Sequence, residues 1–275
     1  MRRGAAGRPL LGLYIPAAVA VLFILVPLVG LLAHASLADI GDALTSSAAL
    51  TALRLSLECS LLAVIVSAIV GVPLAYLLAR TAMRGRRLLR GLVLLPLVLP
   101  PVVGGIALQS AFGRSTPIGG VLHSLFGVTL PFSTAGAVMA EAFVGLPFLV
   151  ITVEAGLRQR DAGFEEVAAT LGARPWRRFW LITMPLLAPS LTAGAALCWA
   201  RALGEFGATI TFAGSFPGTT ETLPLAAYSA FEGSGAVSRA ITLSLILLVI
   251  SVAVLVGLRD RWLGTVAGAS TPTSD

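Results

Sequence analysis

The sequence predicts an all-α integral membrane protein of about six transmembrane helices, with both termini in the cytoplasm. Apolar residues make up 57% of the 275 positions and charged residues only 12%, well below the ~25% charged residues of soluble domains. Several apolar runs exceed the ~20 residues that cross a bilayer. Most arginines lie near the N-terminus and after the second, fourth and sixth runs, which is the pattern of cytoplasmic loops under the positive-inside rule.

The apolar runs define six spans within a single transmembrane domain that covers residues 1–275. The predicted spans are residues 10–32, 50–78, 88–112, 132–157, 186–212 and 240–258. The arginines before the first span resemble a signal peptide, but this apolar run is well beyond the ~7–15 residues of a signal core. Segments 113–131 and 209–231 are expected outside the cytoplasm, the second with a short re-entrant or surface helix.

The third span is predicted to be irregular. Three prolines remove backbone donors, and Gly104 and Gly105 allow the chain to bend. Broken helices at membrane depth persist where protein or a water-filled cavity satisfies the freed carbonyl groups. Pro100 and Pro101 are therefore candidate residues of a transport pathway. The alternative is a kink that serves packing alone.

The fifth span carries two ionisable side chains. Arg201 and Glu205 are four residues apart and can meet on one helix face. Charged groups inside a membrane protein are costly and usually face the bundle interior or a cavity, so the pair is either part of a gate or anion path, or a structural ion pair. The structural interpretation is favoured because a carboxylate beside an anion route would repel the cargo. Gly204 and Gly207 allow close backbone approach and could expose amides to an anion.

A polar and basic segment, residues 161–185, separates the fourth and fifth spans. Asp161 is a candidate N-cap and Gly172 a candidate left-handed C-cap of a short helix. One face of that helix is apolar, through Phe164, Val167, Ala168 and Leu171. Pro175 is expected to open a second, interfacial helix with Trp176, Phe179 and Trp180 on one side.

Several functions are excluded by what the sequence lacks. All 19 basic residues are arginine, so the chain has no lysine for a Walker A loop or for a Schiff base. The two histidines stand apart from other metal-ligating residues, and no metal or cofactor is expected. The distribution of arginines fits a membrane topology better than a nucleic-acid surface. Cys59 and Cys198 are expected to pack as small buried groups.

The basic segment carries a recognisable motif. Its five matching residues are Glu166, Ala168, Gly172, Ile182 and Pro185, at the spacing Glu-Ala-Ala, three residues, Gly, nine residues, Ile, any residue, Leu-Pro. This pattern resembles that of permease subunits of binding-protein-dependent ABC importers, with Val167 and Met184 as conservative departures. In that family the segment is a cytoplasmic coupling helix that docks into a cleft on the ATPase subunit.

Two further stretches resemble the molybdate branch of this family, with sulfate permeases as near relatives. They are LPLVLPPVVGG, residues 95–105, and ARALGEFGATITFAGSFPGTTETLPLAAY, residues 200–228. The resemblance implies a type I importer fold, and a permease without its own ATPase site that carries molybdate or tungstate across the cell membrane of a prokaryote. A sulfate or thiosulfate permease is the alternative, and an ion-coupled secondary transporter or an intramembrane enzyme has less support.

The resemblance also implies the partners. They are two copies of an ABC ATPase subunit, an extracytoplasmic substrate-binding protein, the lipid bilayer, and no nucleic acid. Because the chain holds one coupling motif and two ATPase subunits need two, a second permease copy is expected, in a homodimer with the pathway on its two-fold axis.

Overall fold

The computed structural model describes residues 13–36, 40–42, 45–160, 163–233 and 237–267. All regular secondary structure in this part of the chain is helical. A π-helical turn, Phe179–Thr183, separates two of the helices. The α-helices are α1 Tyr14–Ala33, α2 Ser47–Arg80, α3 Arg86–Val98, α4 Pro101–Phe112, α5 Pro117–Phe126, α6 Thr134–Gln159, α7 Gly163–Thr170, α8 Pro175–Arg178, α9 Met184–Leu203, α10 Gly207–Phe212, α11 Leu223–Glu232 and α12 Val237–Ala267.

The prediction of about six spans is confirmed within the described residues. Five helical stretches are long and apolar enough to cross a bilayer: α1, α2, α6, the continuous stretch Pro175–Leu203 and the first part of α12. The pair α3 and α4, bent by 118° at a short break, brings the number to six when it is counted as one broken span. Because Pro100 lacks a backbone N–H and Leu99 is extended before it, the helix breaks where the sequence predicts irregularity.

Helix α6 forms the centre of the bundle and packs against α2 and α9. Small residues bring α6 and α9 close together: a Cβ added at Gly145 would lie 2.8 Å from the sulfur of Cys198. Both cysteines are free and buried, as the sequence predicts. In contrast, α1 has no buried residue and packs lightly on α12.

The helix of the fifth predicted span has different bounds from residues 186–212. It begins at Pro175, so the segment expected to form a separate interfacial helix is continuous with the span. It ends at Leu203, and Gly207–Phe212 forms the separate helix α10. At the break, the Glu205 carboxylate accepts the N–H of Ala208 and so satisfies a free donor in the first turn of the new helix.

The short helix expected in the segment 209–231 is α11, Leu223–Glu232. Helix α5 in the segment 113–131 is not predicted by the sequence. The candidate cap Asp161 lies outside the described residues. The sidedness of the termini and the single-domain organisation remain predictions.

Candidate functional site

Helix α7, in the segment that carries the motif, exposes an apolar face. Phe164 is 65% exposed, Val167 60% and Leu171 82%. These side chains recur on one side of the helix, and the described part of the chain leaves all three open. An exposed apolar cluster on a short helix that also carries carboxylates is typical of a protein docking site.

Gly172 ends α7 in the left-handed conformation that the sequence predicts, with φ at +80°. The Ala173 N–H donates to the Ala168 carbonyl at 2.9 Å, and the Gly172 N–H donates to the Ala169 carbonyl at 3.0 Å. These two bonds form a Schellman motif. A Cβ at Gly172 would meet no atom within 4 Å, so glycine is required here for its backbone conformation and not for space.

The remaining motif residues surround this turn. Glu166 is exposed and forms no ion pair within the described residues, so its carboxylate is available to a partner. Gly172 and Ile182 line the same shallow cleft of about 200 Å³, together with Arg177 and Arg178. The nine-residue spacing of the motif therefore brings its glycine and its isoleucine to one surface.

Pro185 follows the π-helical turn and accounts for part of its geometry. The Met184 N–H bonds to the Phe179 carbonyl five residues back. Pro185 has no N–H with which to resume the usual pattern at the next position. The turn therefore lies directly between the motif segment and the transmembrane helix α9, and such turns often mark functional positions.

An aromatic cluster covers one side of the same segment, as predicted. The rings of Trp176 and Trp180 lie 5.6 Å apart and those of Phe179 and Trp180 lie 5.4 Å apart. Trp176 is 72% exposed, and Arg174 and Arg177 beside it are also exposed. This combination of exposed indole and guanidinium groups suits a membrane–water interface.

The sequence analysis missed the contacts of Glu165. Its carboxylate faces the bundle, where it accepts hydrogen bonds from Tyr76 at 3.3 Å and Thr183 at 3.1 Å. Arg80 lies 3.7 Å from the same carboxylate. The helical pattern alone indicates that Glu165 lies away from the apolar face, and the five-arginine loop after α2 is the signal that could have identified its partner.

Glu154 forms a second charged contact that the sequence analysis missed. This carboxylate lies near the end of α6 and its side chain is 8% exposed. It bonds to Arg90, lies 2.9 Å from Arg158 and lies 4.0 Å from Arg86. The loop after α2 and the end of α6 are therefore joined on the side of the bundle that carries α7.

In the candidate gate region Arg201 and Glu205 form the expected ion pair, with 2.6 Å between Nη1 and Oε2. Glu205 is buried and its other oxygen accepts the Ala208 N–H at 2.9 Å. The carboxylate thus has two partners within the described residues, as a structural ion pair requires. Whether the pair also lines the pathway remains a prediction.

The structure brings the proline break of the third span to α10. A Cβ added at Gly207 would lie 2.7 Å from the Cβ of Pro101. Gly105 likewise lies against α10, where an added Cβ would lie 1.7 Å from the Thr211 hydroxyl. Gly204 makes no such close contact between helices. It is exposed, and an added Cβ would meet only the Ala200 carbonyl, at 3.8 Å.

Glu141 on α6 belongs to the same buried region. It is 1% exposed, and its Oε2 has no hydrogen-bond partner within the described residues. It lies close enough to Glu205 for the two carboxyl groups to interact electrostatically.

Solved structures share the fold. An ABC transporter chain involved in the bacterial import of the acidic polysaccharide alginate has a TM-score of 0.73 at 17% identity, over 91% of this chain and 93% of that one. A chain of the MetNI methionine ABC transporter has a TM-score of 0.59 at 15% identity, over 78% of this chain and 94% of that one. At these identities the likeness establishes the fold alone.

Sequence comparisons establish the family. The molybdenum transport system permease protein ModB of Mycobacterium tuberculosis is 45% identical over 90% of this chain and 93% of its own length. ModB of Escherichia coli is 43% identical over 78% of this chain and 93% of its own length. Residues 71–265 match the family model of the inner membrane component of binding-protein-dependent transport systems. The chain is therefore a multi-pass membrane permease that belongs to this family.

Proposed function

We propose that this chain is the permease of an ATP-driven importer that carries molybdate across the cell membrane. The observation that supports the cargo is its 45% identity, over 90% of its length, to a protein named as a molybdenum transport permease. Tungstate is a chemically similar oxyanion that the same permease would carry. Sulfate is the competing cargo, and the relatives do not favour it.

ATP hydrolysis belongs to a separate subunit. The chain contains no lysine, so it lacks the residue with which a P-loop reaches the β- and γ-phosphates of ATP. The exposed apolar face of α7 supports docking of this ATPase subunit. Phe164, Val167 and Leu171 would enter an apolar cleft on the ATPase, and Glu166 would face a basic group at its rim.

A second copy of the chain completes the pathway. Each chain supplies one coupling segment, whereas ATP hydrolysis at a dimeric ATPase needs two docking points. A two-fold symmetric pair of permeases meets that requirement with one gene product. Both termini and the α7 segment would then lie in the cytoplasm, and the loops that hold α5 and α11 would face the binding protein.

The gate region would act through conformation and not through tight binding. A permease must release its ion, so weak contacts suit it better than a cage of arginines. The Arg201 and Glu205 pair fixes α10 against the proline break, and Pro100, Pro101 and Gly207 form the contact that would change between outward-open and inward-open states.

The test is uptake by the complete complex in proteoliposomes. The permease is reconstituted with its ATPase subunit, and ATP or a non-hydrolysable analogue is enclosed in the vesicles. The binding protein and radiolabelled molybdate are added outside. We expect ATP-dependent uptake of molybdate. Excess tungstate should suppress this uptake, and excess sulfate should not. Suppression by sulfate alone would assign the chain to sulfate transport, and uptake driven by an ion gradient without ATP would overturn the proposal.

A further inference from the structure

The π-helical turn is the place where the coupling segment joins the transmembrane helix. The continuous stretch Pro175–Leu203 contains Arg177, Arg178 and Ile182, which line the cleft beside Gly172, and the transmembrane helix α9. Within it, residues 179–183 depart from the regular α-helical hydrogen-bond pattern. A turn of this kind deforms more readily than an α-helix, so without other support it would absorb movement of α7 and not transmit it.

Glu165 contacts both ends of this turn. At its beginning, the Arg178 guanidinium donates to the main-chain carbonyl of Glu165 at 3.3 Å. At its end, the hydroxyl of Thr183 donates to the Glu165 carboxylate at 3.1 Å. Thr183 is 2% exposed, so this bond holds a buried group and is well shielded from water.

The same carboxylate also binds the end of α2. The hydroxyl of Tyr76 donates to Oε2 at 3.3 Å, and Nε of Arg80 lies 3.7 Å from Oε1. The side chains of Glu165 and Arg80 are each 17% exposed. The ring of Tyr76 in turn packs edge-on against Phe179 of the turn, with 5.5 Å between the centroids. One side chain thus joins α7, the turn and α2.

We propose that Glu165 is a positioning residue that makes α2, α7 and the π-helical turn move as one body, so that displacement of the coupling helix reaches the transmembrane bundle. This inference rests on the proposed function and assigns a role that the family motif does not include, because the motif begins at Glu166. Glu166 faces outward toward a partner, whereas Glu165 faces inward toward the bundle. Of the two adjacent carboxylates, Glu166 therefore serves docking of the ATPase subunit, and Glu165 serves transmission of the movement to the bundle.

The experiment measures molybdate transported per ATP hydrolysed by the reconstituted complex. Glu165→Ala removes both side-chain hydrogen bonds and the ion pair. Charge-assisted hydrogen bonds of this kind change equilibria by about tenfold or more, so we expect molybdate transported per ATP to fall about tenfold. Co-purification of the ATPase subunit should stay within about twofold of the wild type because the apolar face of α7 is intact. A merely structural loss would lower transport and hydrolysis together and leave the ratio unchanged.

Further variants separate the contacts. Glu165→Gln keeps an acceptor for Thr183 and loses the charge near Arg80, so an intermediate ratio is expected. Thr183→Val removes one hydrogen bond at nearly constant volume, and combining it with Glu165→Ala should add no further loss. Glu58→Ala is the matched control. It removes a carboxylate from an exposed pair with Arg54 on α2, the helix whose other end Glu165 contacts.

The outcomes are distinguishable. An unchanged ratio in Glu165→Ala and Thr183→Val, with a wild-type complex that transports, would overturn the role of Glu165. Loss of the ATPase subunit from Glu165→Ala would also overturn it, because Glu165 would then belong to the docking surface. If the Glu165→Ala permease does not fold, Glu165→Gln and Thr183→Val carry the same comparison. A wild-type complex without ATP-dependent molybdate uptake would instead refute the proposed function.

Discussion

Gly207 lies against Pro101 so closely that an added Cβ would be 2.7 Å from the proline Cβ and 3.2 Å from the Val102 nitrogen. The proline ring is rigid, so neither side can move without shifting a helix. The contact joins α10 to the broken third span, and Glu205 fixes the same, N-terminal end of α10 by accepting the Ala208 N–H. Pro101 and Gly207, about a hundred residues apart in the chain, thus form one junction between α4 and α10.

The first prediction concerns this junction. Gly207→Val should separate α10 from α4, at a cost of about 1–3 kcal/mol for overpacking, and should lower ATP-dependent molybdate uptake by about tenfold. Proteoliposome uptake and the melting temperature of the purified permease measure the two effects. Gly91→Val on α3 is the control, because an added Cβ there meets nothing within 4 Å. Full uptake by Gly207→Val would show that the junction does not move in transport.

The second prediction concerns the end of the coupling helix. Gly172→Val places a β-branched residue at φ +80°, where left-handed backbone costs about 1–2 kcal/mol. The helix end should rearrange and weaken ATPase docking, so co-purification of the ATPase subunit and molybdate uptake should both fall by about tenfold.

Gly85 supplies a matched control for that prediction. It has φ +84° and no atom within 4 Å of an added Cβ, but it lies before α3, outside the motif segment. Gly85→Val therefore imposes the same backbone strain without altering the docking face. Equal losses in the two variants would contradict a specific role for Gly172.

The third prediction concerns Glu154, whose buried carboxylate faces three arginines. Glu154→Gln leaves these guanidiniums without a counter-charge. Breaking a fully buried ion pair costs about 3–5 kcal/mol, but the arginines here are about a third exposed or more, so about 2 kcal/mol is expected. Thermal unfolding of the detergent-solubilised permease measures it. Glu58→Gln, in an exposed pair with Arg54, should leave the thermal unfolding almost unchanged because solvent screens surface pairs.

The sequence predicted the parts of the fold that depend on local composition. Long apolar runs, the break at Pro100 and the left-handed turn at Gly172 each follow from the chemistry of the residues present. The contacts between distant segments could not be predicted in this way. Arg90 lies 64 residues from its partner Glu154, and Tyr76 lies 89 residues from its partner Glu165. Periodicity does not indicate which inward-facing carboxylate meets which distant side chain.

The misplaced end of the fifth span has a similar cause. The sequence prediction continued the span through residues 204–212, but the helix ends before Gly204, and the Glu205 carboxylate accepts the Ala208 N–H in the first turn of α10. The four-residue spacing predicts that Glu205 is a partner of Arg201, which it is, but it does not indicate a partner for the second carboxylate oxygen. A carboxylate has several acceptor sites, and the structure uses one oxygen for each partner.

The last prediction separates the two interpretations of the Arg201 and Glu205 pair by a double-mutant cycle. Arg201→Ala leaves a carboxylate buried without its counter-charge and within electrostatic range of Glu141, so stability should fall by about 3 kcal/mol. Arg201→Ala combined with Glu205→Ala removes both charges, and part of the loss should be recovered. If the pair is structural, its loss in Arg201→Ala lowers the melting temperature and the amount of active complex. The KM for molybdate delivered by the binding protein then stays within about twofold of the wild-type value. If Arg201→Ala instead raised KM about tenfold with an unchanged melting temperature, Arg201 would act on the anion itself.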